Sequence, residues 1–175
     1  MTMTEPRAWV GCLAAYNAGT LHGAWLDCDD EYTFGEGCKS ILASSPVDDA
    51  EELWVMDHEG LPMSGECNPQ EALRLGLIVD AVVNVGGWPF ELIEHAIDHV
   101  GDDLKSIADY IDEAYQGTYK DRANFACEFH ENIGTEIPEH LQYYIDWDSM
   151  GRDMLMSDFY DVDLRSGGIA VMWNT

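Results

Sequence analysis

The feature that most constrains this chain is its charge. Among 175 residues, 34 are Asp or Glu and only 8 are Lys or Arg, which gives a formal net charge of -26 at pH 7. Carboxylates are rarely buried without a partner, so nearly all of them must lie on the surface of any fold that forms. Most of them have no cation to pair with, and their mutual repulsion destabilises the compact state. An acidic surface that costs stability indicates that function requires it.

This charge excludes several classes of function. A dense negative surface argues against direct binding of nucleic acid, anionic membranes or phosphate-rich substrates, and it favours cations or basic proteins as partners. A homodimer would carry twice the charge, equal to roughly 90 Å of duplex DNA at one charge per about 1.7 Å of axis. Because a compact chain of this length is only about 40 Å across, two chains in line would approach the linear charge density of DNA.

The remaining composition is that of a folded protein in a reducing compartment. Hydrophobic residues make up 46% of the chain, enough to bury a core at this length. The 5 cysteines are an odd number without a Cys-x-x-Cys pair, which favours free thiols. No signal sequence or membrane-spanning apolar run is present. We therefore expect a soluble, cytoplasmic protein.

Hydrophobic periodicity and turn residues predict an α+β chain of three small domains. The first domain, residues 1–60, combines a β-hairpin with a helix and a third strand. In the hairpin, strands over 7–14 and 21–27 flank a turn at Asn17 and Gly19, which tolerate positive φ. The second domain, residues 61–117, is helical, and the third, residues 118–175, is mixed and ends in a hairpin.

The helices of the middle and C-terminal regions expose rows of carboxylates at spacings of three and four residues. Such rows lie along one face of a helix. Asp102 or Asp103 is predicted to cap one of these helices, and another is predicted to extend from Asp121 to Ile133. The residues predicted to face solvent and a partner are Glu91, Glu94, Asp98, Asp102, Asp109, Asp112, Glu113, Glu128 and Glu131.

The stretch from Leu141 to Asp153 has an unusual load of aromatic and acidic residues. Its spacing predicts an amphipathic helix that begins after Pro138, has Leu141, Tyr144 and Ile145 on one side, and ends at Gly151. A second interpretation is a recognition or assembly element. Arg152 is then the notable residue, since it is a fixed cation among carboxylates and could hold them together.

Motifs for catalysis or metal binding are weak. His95 and His99 lie four residues apart on one predicted helix, but the local sequence supplies no third ligand. No nucleophile elbow, dinucleotide fingerprint or phosphate-binding loop occurs. Close pairs of carboxylates arise by chance at this acidity, so they are not diagnostic. The sequence therefore predicts neither an enzyme nor a cofactor.

The tryptophans other than Trp147 are predicted to lie in cores or domain junctions. Trp147 stands between Asp146 and Asp148, and we expect it to be partly exposed.

Two stretches carry a resemblance to a known family. Residues 13–25 contain Tyr-Asn-x-Gly-x-Leu-x-Gly-x-Trp, which resembles the N-terminal signature of the ArdA antirestriction proteins. Residues 141–153 contain Tyr-x-Asp followed by Gly-Arg-Asp, which resembles the antirestriction motif of that family. The matching residues are Tyr16, Asn17, Gly19, Gly23 and Trp25 in the first stretch, and Tyr144, Asp146, Gly151, Arg152 and Asp153 in the second.

The resemblance implies an elongated, dimeric protein that imitates bent B-form DNA and has no enzymatic activity or cofactor. Such proteins occupy the DNA-binding groove of type I restriction–modification enzymes and so protect incoming plasmids and transposons. Tyr144, Asp146, Trp147 and the Gly151–Asp153 tripeptide would then lie in or near the dimer region. The first signature would shape the N-terminal hairpin.

Two other functions fit the composition. One is a protein whose acidity keeps it soluble in high salt, and whose activity lies elsewhere in the chain. The other is a module that binds divalent cations. A salt-adapted protein should lose structure at low ionic strength, whereas a DNA mimic should remain folded there.

Overall fold

The computed structural model describes residues 5–174 and has a mixed α/β fold, which confirms the predicted fold class. The described chain divides into two compact units, the first ending at Glu94 and the second beginning at His95. Each unit contains one three-stranded antiparallel sheet. The division into three domains stays a prediction.

The first unit combines one sheet with several helices. In chain order its elements are β1 Arg7–Cys12, α1 Leu13–Asn17, β2 Gly23–Asp27, α2 Glu31–Ala43, β3 Leu53–Glu59, α3 Pro69–Val79, a π-helical segment Asp80–Val85 and the start of α4 Glu91–Val100.

The sheet of the first unit has the strand order β2-β1-β3, with β1 antiparallel to both neighbours. Successive side chains of a strand point to opposite faces. Ala8, Val10 and Val55 are fully buried on the face that α2 and α3 cover. Trp9, which alternates with Ala8 and Val10 in β1, therefore lies on the other face, opposite Trp25 in β2.

The predicted pairing of the first two strands is confirmed, but the predicted turn is partly wrong. Strand β1 ends at Cys12, and the chain enters the short helix α1 before it reaches β2. Asn17 is the last residue of that helix, and only Gly19 takes the left-handed backbone, with φ +81°. The helix-favouring Leu-Ala-Ala sequence that follows β1 explains the difference.

The second unit begins within α4 and repeats the combination of a sheet and helices. Its other elements are α5 Leu104–Ala114, β4 Tyr115–Tyr119, α6 Arg122–Asn132, a 3₁₀ segment Glu139–Tyr144, α7 Trp147–Leu155, β5 Phe159–Asp163 and β6 Ile169–Trp173.

One core cluster of the second unit lies between α6, α7 and the sheet β4-β6-β5. Phe125 is fully buried, and its ring centroid lies 5.0 Å from that of Phe159 in an edge-to-face arrangement. The final hairpin of β5 and β6 matches the prediction. Strand β4 was not predicted, because Tyr115 follows α5 directly and was interpreted as part of that helix.

Candidate functional site

The carboxylates are distributed over the surface of both units. No polar or charged residue among the described positions is buried. Among the described residues, every Asp and Glu is exposed except Glu71, Asp80 and Glu91, which are half-buried. The eight Lys and Arg residues cannot neutralise 34 carboxylates, even if each forms an ion pair. The surface therefore keeps most of its negative charge.

Helix α4 carries the first row of predicted site residues. Glu94 and Asp98 lie one turn apart and are exposed, whereas Glu91 is half-buried. Ten residues of α-helix are about 15 Å long, and one strand of DNA carries about four phosphates over that length. Three carboxylates on this helix thus approach the charge spacing of one DNA strand.

Helix α5 carries the second row. Asp109, Asp112 and Glu113 are exposed, and Asp102 is exposed just before the helix. Lys105 donates to Asp109 one turn further along α5, so this predicted site residue is part of an exposed ion pair. Solvent screens such pairs and they contribute little stability. The pair still reduces the net charge of the row by one.

Helix α6 carries Glu128 and Glu131, both exposed. The side-chain amide of Asn124 donates to Glu128 Oε1 at 2.8 Å, which holds that carboxylate along the helix. The Cys127 thiol donates to Glu131 Oε1 at 3.7 Å. Carboxylates attached to helices in this way have fewer orientations than carboxylates on loops, so less order is lost when a partner binds.

Other aspartates have a structural role at helix N-termini. Each of four carboxylates accepts a hydrogen bond from a backbone N–H at the start of a helix. A negative charge there also interacts favourably with the helix dipole. These aspartates are Asp30 for α2, Asp103 for α5, Asp121 for α6 and Asp146 for α7.

The cap of α7 predicts a measurable pH effect. The backbone N–H and hydroxyl of Ser149, with a smaller contribution from Arg152, hold the pKa of Asp146 below its usual value. This contribution to stability is therefore complete above the ordinary carboxyl pKa and is lost as the pH falls through the lowered value. Asp146→Asn retains a capping oxygen without the titrating charge. We expect the stability difference between wild type and Asp146→Asn to shrink as the pH falls from 7 to 3, measured by urea unfolding. A difference that stays constant with pH would contradict this role.

The stretch from Leu141 to Asp153 differs from its predicted form. Residues 139–144 form a 3₁₀ segment, and a separate helix, α7, begins at Trp147 with Asp146 as its N-cap. Tyr143 and Tyr144 are 91% and 85% exposed, so the predicted single amphipathic helix with Tyr144 on its apolar side is wrong. Trp147 is half-buried, as expected. The signal for the helix start was an aspartate followed three residues later by Ser149.

Gly151 does not end a helix, which corrects the second part of that prediction. It is buried in the middle of α7, where α7 packs against α6. A Cβ atom at this position would lie 2.2 Å from the carbonyl oxygen of Arg122. Glycine is therefore required by the close approach of the two helices and not by a helix terminus.

Two arginines lie near the junction of α6 and α7. Arg122 Nε lies 3.5 Å from Asp148 Oδ1, which links the two helices. Arg152 Nε and Nη2 donate to Asp153 Oδ1 at 3.2 and 3.1 Å. Because Arg152 is exposed, the Asp153 carboxylate that it binds also lies at the surface of α7.

The two histidines that suggested a metal site belong to a ring cluster in the second unit. The ring centroids of His95 and His99 are 4.4 Å apart, and those of His95 and Tyr160 are 4.7 Å apart. The hydroxyls of Tyr110 and Tyr160 are 2.6 Å apart in a hydrogen bond. Burial, with His99 nearby, lowers the pKa of His95, so this ring adds no cation to the acidic surface at neutral pH.

Across residues 5–174, the structure contains no group of three or more His, Cys, Asp or Glu side chains arranged to hold a metal ion. Nor does any helix in that range have the length and apolar character needed to cross a membrane. The five cysteines are free thiols.

Sequence reasoning missed an aromatic recess in the first unit. Trp9, Trp25 and Trp54 line it on the uncovered face of the first sheet, and Trp25 is 39% exposed. None of the tryptophans predicted to lie in cores or junctions is fully buried in the described chain. The available signal was alternation in β1, where Trp9 is flanked by two small apolar residues that face the core.

A comparison with family models decides the relationship of this chain to known proteins. The model described as Antirestriction protein (ArdA) matches residues 8–165, nearly the whole chain. The chain belongs to the ArdA antirestriction family. A search of curated proteins finds no match.

Membership in the ArdA family implies an antirestriction function and an interaction with restriction–modification enzymes. The matched range includes both signature stretches of the sequence and the helices α4, α5 and α6 with their carboxylate rows. Within this ArdA protein, the first signature lines part of the aromatic recess, and the second includes the exposed tyrosines and most of α7.

Proposed function

We propose that this protein inhibits type I restriction–modification enzymes by occupying their DNA-binding groove as an acidic substitute for DNA. The observation that supports this most strongly is the placement of 34 carboxylates on the surface with none buried. A fold selected for stability alone would not accumulate so much mutual repulsion.

The proposed mechanism is electrostatic and distributed. Carboxylates on α4, α5 and α6 take the place of phosphates, so they interact with the Lys and Arg residues that line a DNA-binding groove. Complementary charge of this kind accelerates association and fixes the register of a complex more than any single pair does. Inhibition needs only occupancy of the groove, so we propose neither an enzymatic step nor a cofactor, and no direct binding to DNA.

We further propose that the protein acts as a homodimer through the segment 141–153. Tyr143 and Tyr144 are the two most exposed large hydrophobic side chains in the part of the chain that the structure describes, and Leu141 nearby is exposed as well. Tyrosines are enriched at interfaces because they combine apolar area with a polar tip. Pairing these segments would double the number of carboxylates that the protein presents to one partner enzyme. Inhibition of restriction by such a dimer would protect mobile genetic elements that enter the cell.

Arg152→Ala is expected to weaken this dimer. Removing the guanidinium leaves Asp146 and Asp153 with less positive charge nearby, so two copies of α7 would repel each other more strongly. Sedimentation equilibrium should show a dissociation constant several-fold higher than that of wild type. Lys120→Ala removes the same charge outside the motif and should leave the constant within twofold. An unchanged dimer in Arg152→Ala would remove this role.

A cleavage assay tests the proposed function. Purified type I enzyme is mixed with unmodified plasmid DNA and increasing amounts of the protein. We expect cleavage to stop near one dimer per DNA-binding site. Undiminished cleavage at a tenfold excess of correctly folded protein would contradict the proposal.

A further inference from the structure

A recess opens on the uncovered face of the β2-β1-β3 sheet. Its volume is about 450 Å³, within the usual range for sites that bind small groups. The walls are mostly aromatic and apolar, and the first signature supplies three of them. The apolar lining includes Trp9, Tyr16, Leu21, Trp25, Trp54 and Met56.

Two glycines paired across the strands make room for the Trp9 wall of this recess. Gly11 and Gly23 lie opposite each other in β1 and β2. A Cβ atom at Gly11 would lie 2.6 Å from Trp9 Cζ3, and one at Gly23 would lie 2.9 Å from Trp9 Cη2. The indole of Trp9 therefore lies across both glycines, in space that a Cβ atom at either position would occupy.

The rim of the recess is acidic. Asp57 and Glu66 line it, and the indole N–H of Trp54 donates to Glu66 Oε2 at 3.2 Å. That hydrogen bond fixes a carboxylate beside an aromatic wall. Among the described residues that line the recess there is no Lys or Arg. Aromatic faces and carboxylates together attract a cation that also has a flat apolar surface.

The same face of the sheet already holds one guanidinium in this way. The Arg7 guanidinium carbon lies 5.0 Å from the ring centroid of Trp25. Arg7 Nε and Nη2 also donate to Glu59 Oε2 at 2.9 and 2.7 Å. The other two indoles of the recess have a similar combination: Trp9 pairs with Asp57 across the strands, and Trp54 donates to Glu66.

We propose that this recess binds the side chain of an arginine presented by the protein partner. A guanidinium can stack on tryptophan and donate to a carboxylate at the same time, whereas an ammonium is a more strongly hydrated point charge. The identification of the partner as a restriction–modification enzyme rests on the proposed function above. The preference of the recess for a guanidinium depends only on its own geometry.

Titration with N-acetyl-arginine amide tests the recess in the full chain. The indole N–H resonances report on each tryptophan, and N-acetyl-citrulline amide is a neutral analogue of nearly the same shape. We expect saturable shifts of Trp9, Trp25 and Trp54 with the arginine compound and much weaker shifts with citrulline. Trp147 and Trp173 should not respond. Equal response to citrulline, or shifts spread over all indoles, would overturn the inference.

A matched pair of variants tests the role of the rim. Glu66→Gln keeps an oxygen that can accept from the Trp54 indole but removes the charge, and it should weaken arginine amide binding several-fold. Glu31→Gln, on the exposed start of α2, makes the same change outside the recess and should alter binding less than twofold. Equal weakening by both variants would show a general charge effect and would overturn the assignment.

The last experiment measures how tightly the Trp25→Leu variant of this protein binds a type I enzyme. We expect affinity to fall tenfold or more, since aromatic anchors in recesses dominate many interfaces. Normal binding by this variant, when wild type displaces DNA, would overturn the inference and leave the proposed function intact. Failure of wild type to displace DNA would contradict the proposed function, and the arginine titration would still decide the chemistry of the recess.

Discussion

A variant in which six exposed carboxylates become amides is expected to bind a type I enzyme roughly a hundredfold more weakly than wild type. An exposed charge pair contributes about 0.5 kcal/mol, so six lost pairs amount to about 3 kcal/mol, or a factor of roughly 150. Binding should be measured by surface plasmon resonance at low and physiological salt. The changes are Glu94→Gln, Asp98→Asn, Asp102→Asn, Asp112→Asn, Glu113→Gln and Glu128→Gln.

The same reasoning predicts a graded response. Neutralising only Glu94 and Asp98 should cost about 1 kcal/mol, or roughly fivefold in affinity. Exchanging the two acids, Glu94→Asp with Asp98→Glu, keeps the charge and should leave affinity within twofold. If the single pair accounted for the whole hundredfold loss in a folded protein, the interaction would be local and the distributed mechanism would be wrong.

Gly151→Ala is expected to destabilise the second unit by about 2 kcal/mol. Its new Cβ would lie 2.2 Å from the backbone oxygen and 2.7 Å from the carbonyl carbon of Arg122, so α6 and α7 must separate. Backbone atoms cannot rotate away as a flexible side chain can, so the clash outweighs the usual gain of helix propensity from glycine to alanine. Because α7 carries Asp146 and Arg152, antirestriction activity should fall as the helix is displaced. Urea unfolding monitored by circular dichroism measures the effect on stability.

Gly35→Ala is the matched control for this prediction. Gly35 lies inside α2 with ordinary helical backbone and nothing within 4 Å of an added Cβ. The same substitution there should stabilise the protein by about 0.5–1 kcal/mol. If alanine destabilises the protein at position 151 and stabilises it at position 35, the loss at 151 comes from packing and not from helix propensity. A Gly151→Ala protein as stable as wild type would contradict the close contact of α6 and α7.

Local patterns predicted much of the fold. Hydrophobic spacing and turn residues within short stretches of sequence predict the pairing of β1 with β2, helix α2, helix α6 and the final hairpin. An aspartate before an amphipathic run is a local signal for a cap, and it limited the cap of α5 to Asp102 or Asp103, of which the structure has Asp103. Asp121 was predicted as the start of α6, and it caps that helix.

The features that sequence could not supply depend on contacts between distant residues. Strand β4 forms because β6, some fifty positions later, offers it a partner; its own sequence follows a helix without a break. Gly151 resembles a helix end in sequence, and only the position of Arg122 on α6 explains its burial. The outward face of Trp9 and Trp25 follows from which side α2 and α3 cover, and local composition does not reveal that.

The candidate site also has parts that the sequence predicts and a part that it does not. The carboxylate rows were predicted by helical spacing alone, and eight of the nine residues are exposed, with Glu91 half-buried. The ion pair between Lys105 and Asp109 could have been predicted from the sequence, since the two residues lie four positions apart on the same helix. The aromatic recess was not, because its walls come from β1, β2, β3 and the connections between them.

Competition for DNA tests the central claim most directly. A purified type I enzyme bound to labelled duplex DNA is titrated with the protein at several salt concentrations, and released DNA is measured by fluorescence anisotropy. If the protein occupies the DNA-binding groove, it should release the DNA completely near stoichiometry at low salt. Its own binding to the enzyme should weaken with salt, because it replaces the phosphates electrostatically. Simultaneous binding of DNA and folded protein to the enzyme would contradict the account.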